Sequence, residues 1–131
     1  MPKRPPVSKA EMEIARLVWK LGGATVRQVL ERLPPGRNIE YKTVQTYLRR
    51  LEAKGYLRGK KKGRATFYGV RVRAERVIRE TIHEFVKRLF DGDPLPLMEH
   101  LISDSGLTPE ESDRLRELLD RHEEQRHERG K

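Results

Sequence analysis

The chain has 131 residues, 35% hydrophobic and 37% charged, with 29 Lys+Arg against 20 Asp+Glu for a formal net charge of +9. That length suits one ordinary domain, or a small domain with an appended module, and the low apolar fraction limits the core to narrow stripes that pairing with a second chain would help stabilise. With no cysteine, disulfide staples, thiolate zinc sites and a cysteine nucleophile are excluded, and no run nears the roughly 18 apolar residues of a membrane span.

The first residues, MPKRPPVSK, lack the apolar segment of a signal peptide, so the expectation is a soluble, cytoplasmic protein with no membrane partner. The charge is unevenly divided. Residues 1–72 hold 18 Lys+Arg and 5 Asp+Glu, whereas residues 73–131 hold 11 and 15. A basic half beside a slightly acidic one is the electrostatic pattern of a nucleic-acid-binding module joined to something else.

Ser8 to Glu11 forms the capping box S-x-x-E, and Ile14, Leu17, Val18 and Leu21 follow at helical spacing until Gly22-Gly23. Thr25 and Gln28 repeat the box, and Val26, Val29, Leu30 and Leu33 predict a short second helix ended by Pro34-Pro35-Gly36. A third helix is predicted from about Tyr41 to Lys54, with apolar Val44, Tyr47, Leu48 and Leu51 along one stripe and Gly55 as its left-handed cap. Tyr56–Lys60 and Thr66–Val70 then alternate as two short strands around a cationic turn containing Gly63. Three helices followed by a basic hairpin make a winged helix-turn-helix.

Beyond residue 72 the helical period returns. Ile78, Ile82, Phe85 and Leu89 form a stripe within Arg73–Phe90, Leu97, Met98 and Leu101 lie in a shorter apolar segment, and Leu115, Leu118 and Leu119 follow a third capping box at Thr108. So short a segment cannot bury these faces alone, and a two-fold dimer is the expected solution. The tail from Glu123 is polar and expected to fray. The predicted fold is therefore mostly α with a small β-hairpin wing: a winged helix-turn-helix DNA-binding domain over 7–72, a helical dimerisation domain over 73–123 and a polar tail over 124–131.

The outer side of the third helix carries Lys42, Thr43, Gln45, Thr46, Arg49 and Arg50, with few carboxylates at i,i+4 to pair them. In the major groove Thr offers a hydroxyl and a methyl, Gln suits adenine and Arg suits guanine, while Lys42 and Arg49 are equally suited to phosphates. In the hairpin, Arg58, Lys60, Lys61, Lys62 and Arg64 suit a phosphate backbone or the minor groove. His83, His100, His122 and His127 include no i,i+4 pair, no H-E-x-x-H occurs, and no nucleophile elbow, Walker loop or dinucleotide fingerprint is present. No metal, cofactor or enzymatic activity is expected.

The runs SKAEMEIARLVWK, TVRQVLERL, KTVQTYLRRLEAKGYL, KKGRATFYGV, FVKRLFDGDPLPLM and LTPEE together resemble the penicillinase-repressor (BlaI/MecI) family from about Val7 to His122. The resemblance implies a homodimeric transcriptional repressor whose winged helices occupy the two halves of an inverted-repeat operator and whose C-terminal helices form the dimer. It matches Lys42, Thr43 and Thr46 to the family's major-groove residues and Arg64 to its wing, with Arg50 on the same helix face. Family members release DNA after a membrane metalloprotease sensor of β-lactams leads to cleavage at an Asn-Phe bond; the matching pair here is His100-Leu101, which departs from that pattern. Copper-responsive relatives use C-terminal cysteines, which this chain lacks. The expected function is double-stranded operator binding relieved by a sensor protease or another signal on the C-terminal dimer. The alternatives are a non-specific architectural or RNA-binding winged helix and a protein-interaction adaptor.

Overall fold

The structure is a computed structural model that describes residues 4–130, so Met1 to Lys3 and the last residue of the tail, Lys131, lie outside the described residues. In chain order the elements are α1 (Lys9–Leu21), β1 (Ala24–Thr25), α2 (Val26–Glu31), α3 (Tyr41–Ala53), β2 (Leu57–Lys62), β3 (Ala65–Val70), α4 (Ala74–Phe90), α5 (Pro94–Ser105) and α6 (Pro109–Arg129). The residues group into two compact units, one ending at Thr81 and one beginning at Ile82, so the division falls inside α4.

In the first unit both N-terminal capping boxes are formed: Glu11 N donates to Ser8 Oγ and Ser8 N to Glu11 Oε1, with the same reciprocal pair between Thr25 and Gln28. Helices α1 and α3 end alike. Gly22 N donates to Trp19 O and Gly23 N to Val18 O, as Gly55 N donates to Glu52 O and Tyr56 N to Leu51 O. Each is a Schellman motif with a left-handed glycine, Gly22 at φ +70° and Gly55 at φ +92°. Helix α2 stops earlier than its stripe suggests. Arg32 caps it and Leu33 lies beyond, because Pro34 disfavours helical backbone at the residue before it.

The sequence predicts a two-stranded hairpin; the structure has a three-stranded antiparallel sheet in the order β1-β3-β2. The added strand pairs Ala24 with Tyr68 and Thr25 with Phe67. Two residues carry no alternation to read, so this strand leaves no periodic signal. The hairpin is also longer than expected, running to the Lys62–Ala65 pair with only Gly63-Arg64 at its tip. Gly63 has φ +65° and Arg64 has no positive φ, the pattern of a type II′ connection. Ile14, Ala15, Val18, Val29, Val44, Leu48, Leu51, Leu57 and Tyr68 make the core between the three helices and the sheet. Trp19 Nε1 donates to Val72 O at 3.0 Å, tying α1 to the chain as it leaves the sheet.

The second unit comprises the end of α4 with α5 and α6. Asp91 at φ +52° and Gly92 at φ +85° reverse the chain, and Asp93 caps α5 by accepting from Leu95 N. Phe90 joins these helices through rings, lying 6.0 Å from Phe85 and 6.3 Å from His100. Thr108 and Glu111 form the third capping box, with Pro109 at the first helical position. The expectation that the chain frays from Glu123 is corrected: α6 continues to Arg129. No Gly or Pro interrupts Glu110 to Arg129, strong helix formers fill it, and Asp113–Arg116, Arg114–Glu117 and Glu117–Arg121 pair along its surface. Basic Arg126, His127 and Arg129 in the last turn complement its carbonyl end.

Candidate nucleic-acid interface

Helix α3 is held by Val44, Leu48 and Leu51, all with 0% exposure, which fixes its rotation and turns the opposite side outward. Lys42, Thr46, Arg49 and Arg50 are exposed there, and Thr43 and Gln45 are half-buried at the margin of that side. The loop leading into α3 is tethered to α1, because Arg37 donates to both oxygens of Glu13 through Nε and to Oε1 through Nη2. The Arg37 guanidinium holds the Glu13 carboxyl below its usual range. Glu40 caps α3 without a side-chain hydrogen bond.

Two of the predicted readers have intramolecular contacts that define what they can offer. Thr46 Oγ1 donates to Lys42 O at 2.9 Å, which commits its hydroxyl proton and leaves outward an acceptor oxygen and a methyl. The Arg50 guanidinium lies over the Tyr47 ring at 6.0 Å, so its stem is braced by the helix that carries it. Arg49 stands beside the buried Tyr68 hydroxyl of β3: burial and Glu52 push that phenol up, and the Arg49 guanidinium partly offsets them.

The wing places Arg58, Lys60, Lys61, Lys62 and Arg64 on exposed positions of β2 and its turn. Side chains alternate along a strand, so Leu57, Gly59 and Lys61 share one face and Arg58, Lys60 and Lys62 the other. The first face is the one that α3 covers, because Leu57 is in the core and a Cβ on Gly59 would meet Glu52 Oε2 at 2.7 Å. Arg58 and Lys61 therefore point to opposite sides of the sheet. Lys62 Nζ sits 4.9 Å from the centre of the Phe67 ring. The eight cations Lys42, Arg49, Arg50, Arg58, Lys60, Lys61, Lys62 and Arg64 form no ion pair among the described residues, whereas Arg4, Arg37 and Lys54 of the same unit each meet a carboxylate.

The sequence model of the penicillinase repressor family matches residues 7–121. The chain belongs to the penicillinase repressor family. It is similar to the penicillinase repressor of Bacillus licheniformis, with 29% identity over 98% of this chain and 100% of that one. It is also similar to the methicillin resistance regulatory protein MecI of Mammaliicoccus sciuri, with 24% identity over 88% of this chain and 94% of the relative. Among solved structures, the DNA-binding domain of the repressor BlaI covers 56% of this chain and 90% of its own, at 34% identity and a TM-score of 0.49.

In this family member the predicted residues Ile78, Ile82, Phe85, Leu89, Met98, Leu101, Leu118 and Leu119 are exposed in the single chain, and Leu97 and Leu115 are half-buried. His100 and Leu101 lie within α5, where His100 Nδ1 is 3.2 Å from Asp104 Oδ2. No described helix is long and apolar enough to cross a membrane, and no cluster of described His, Asp or Glu residues could hold a metal. Glu52 was not among the sequence-derived candidates, yet its Oε2 accepts from Gly59 N at 2.8 Å. Only a carboxylate amid cations hinted at it, and nothing in the linear pattern names its partner.

Proposed function

We propose that this member of the penicillinase repressor family is a cytoplasmic, homodimeric, sequence-specific DNA-binding repressor. The observation that carries the proposal is the outward side of α3 and the wing: eight cations that form no ion pair among the described residues, interspersed with Thr43, Gln45 and Thr46 on a helix whose rotation is fixed by its buried stripe. Unpaired Lys and Arg supply the phosphate contacts that dominate affinity, and the Thr and Gln groups supply the base-edge contacts that discriminate. The names of the two relatives, a penicillinase repressor and a methicillin resistance regulatory protein, support transcriptional repression as the use of that binding.

The residues assigned to DNA are Lys42, Thr43, Gln45, Thr46, Arg49, Arg50, Arg58, Lys61 and Arg64, within the module spanning 7–72. The helices over 73–123 form the dimer, through the apolar side chains left exposed in one chain. Two copies of α3 then enter major grooves about one helical turn or a small multiple apart, and occupancy blocks polymerase. Weakening the dimer releases DNA, either by cutting at His100-Leu101 through a sensor protease or by a ligand bound among the C-terminal helices.

Selection of duplexes from a randomised pool by the full-length chain tests the reading. An inverted repeat with preferred bases at fixed spacing supports it. Equal retention of all duplexes marks a non-specific binder, and no retention at low salt marks a protein-interaction adaptor. Following the mass of the protein during derepression separates a break near residue 100 from an intact chain released by a ligand.

A further inference from the structure

β2 is the outer strand of the sheet, and the backbone N–H of Gly59, instead of facing water, donates to Glu52 Oε2 at 2.8 Å. The acceptor comes from the last turn of α3, the helix assigned to the major groove. The fit is close: a Cβ on Gly59 would stand 2.7 Å from Glu52 Oε2 and 3.1 Å from Glu52 Cδ. Glycine at this strand position is therefore what lets the carboxylate reach the backbone.

A carboxylate at this place is otherwise a liability. Arg49, Arg50 and Arg58 surround it in sequence, and an acidic group beside a polyanion is repelled by it. A short hairpin with an exposed, cationic tip has little of its own to fix its angle. The contact from Glu52 joins the base of that hairpin to α3, three residues before the tip cations Lys62 and Arg64 begin.

We propose that Glu52 is a positioning residue: its bond to Gly59 latches the wing to α3, so that Lys60 to Arg64 and the cations of α3 meet one duplex in a fixed relation. The proposal rests on the DNA-binding reading and adds a function for a residue outside the DNA-contacting set. A bystander carboxylate and a latch predict opposite signs. Removing a bystander tightens binding to a polyanion, whereas removing a latch weakens it.

The test uses the full-length chain and a duplex that the wild type selects from a randomised pool. Glu52→Ala is expected to weaken binding roughly tenfold and to lower the salt slope by about 1 for each phosphate contact no longer held in register. Glu52→Gln, which keeps an acceptor oxygen and loses the charge, is expected to bind at least as well as wild type. Gly59→Ala pushes the carboxylate away and is expected to weaken binding in the wild type but to add nothing in Glu52→Ala. Neutralising the wing with Lys61→Ala and Arg64→Ala should remove most of the effect of Glu52→Ala. Thermal unfolding of each variant separates lost positioning from lost fold, and Gly59→Ala, which breaks the contact while keeping the charge and which a bystander would leave without effect, carries the test if Glu52→Ala does not fold. A wild type that selects no duplex overturns the DNA reading and the latch with it. A wild type that binds, with Glu52→Ala equal or tighter or with Glu52→Gln weakened, overturns the latch alone.

Discussion

At the level of single residues, the donor and acceptor state of each side chain limits its role. Because Thr46 donates its proton to Lys42 O, a methyl group and an acceptor oxygen are what it can offer in its proposed role as a base reader. If the methyl reads a thymine, Thr46→Val should keep the ranking of operator variants. Thr46→Ala and Thr46→Ser should each lose about 1 kcal/mol of discrimination at one base position. Dissociation constants over a set of single-base variants decide this, and a Thr46→Ala protein with unchanged ranking removes the base-reading role. A second residue-scale consequence concerns Glu11, which is 1% exposed and accepts from Lys54 Nζ and Ser8 N. Burial pushes its carboxyl up, but the Lys54 ammonium and the Ser8 donors outweigh it and the net shift is downward from 4.5. The folded state therefore holds this proton less tightly than the unfolded chain. The stability it contributes is present above the ordinary carboxylate value and is lost as the pH falls through the lowered folded one. Glu11→Gln should cost about 2 kcal/mol at neutral pH and flatten the acid limb of stability, as measured by urea unfolding across that range.

The pleat of β2 and the backbone of its neighbours decide what the elements can do. Arg58 and Lys61 look equivalent in sequence, yet three positions along a strand put them on opposite faces. Lys61 shares the face that α3 covers, so Lys61→Ala should weaken binding more than Arg58→Ala, with both acting alike on all sequences. Titrations at two salt concentrations check the order and the slope. This distinction is invisible in the sequence because the hairpin register depends on which residues form the turn: the sequence pattern puts Lys61 and Lys62 in the turn, and they are strand. The helices, by contrast, were legible: three capping boxes and repeated apolar stripes state their starts and faces locally. What remained hidden is non-local. β1 exists because Gly22 and Gly23 release the chain from α1 beside β3, and a Cβ on Gly23 would lie 2.4 Å from Phe67 Cζ at φ +121°. Gly23→Ala combines left-handed backbone with that overlap and should destabilise the first unit by about 2 kcal/mol or more, read as a lowered urea midpoint. The length of α6 was hidden for another reason: a polar surface reads as a solvated tail until its charge pairs are placed at helical spacing.

The two units divide the labour of the whole molecule. The first has a closed core of its own, whereas in the second only Val86 is buried among the described residues, and Leu89, Leu95, Met98, Leu101 and Leu119 are each at least half exposed. Helices so thinly covered gain most from a second copy, since apolar area removed from water is the main favourable term in association. In the proposed homodimer, pairing sets affinity for a two-part site. Once one winged helix is bound, the other faces its half-site at an effective concentration near millimolar, which raises overall affinity by about 100-fold or more without any new contact. Leu89→Glu combined with Met98→Glu should therefore leave the first unit folded and leave binding to a single half-site unchanged. Binding to the full inverted repeat should fall by about 100-fold. The same variant should sediment as a monomer at concentrations where the wild type is a dimer. The same logic applies to the proposed cleavage at His100-Leu101: that bond lies inside α5, so a protease that reads extended backbone must first capture an unwound state. The double variant, with α5 unsupported by a partner, should be cut there faster than wild type, with the sites of cutting identified by mass. Equal rates in dimer and monomer would mean that pairing does not protect α5, and control of release would then have to lie elsewhere than in the dimer.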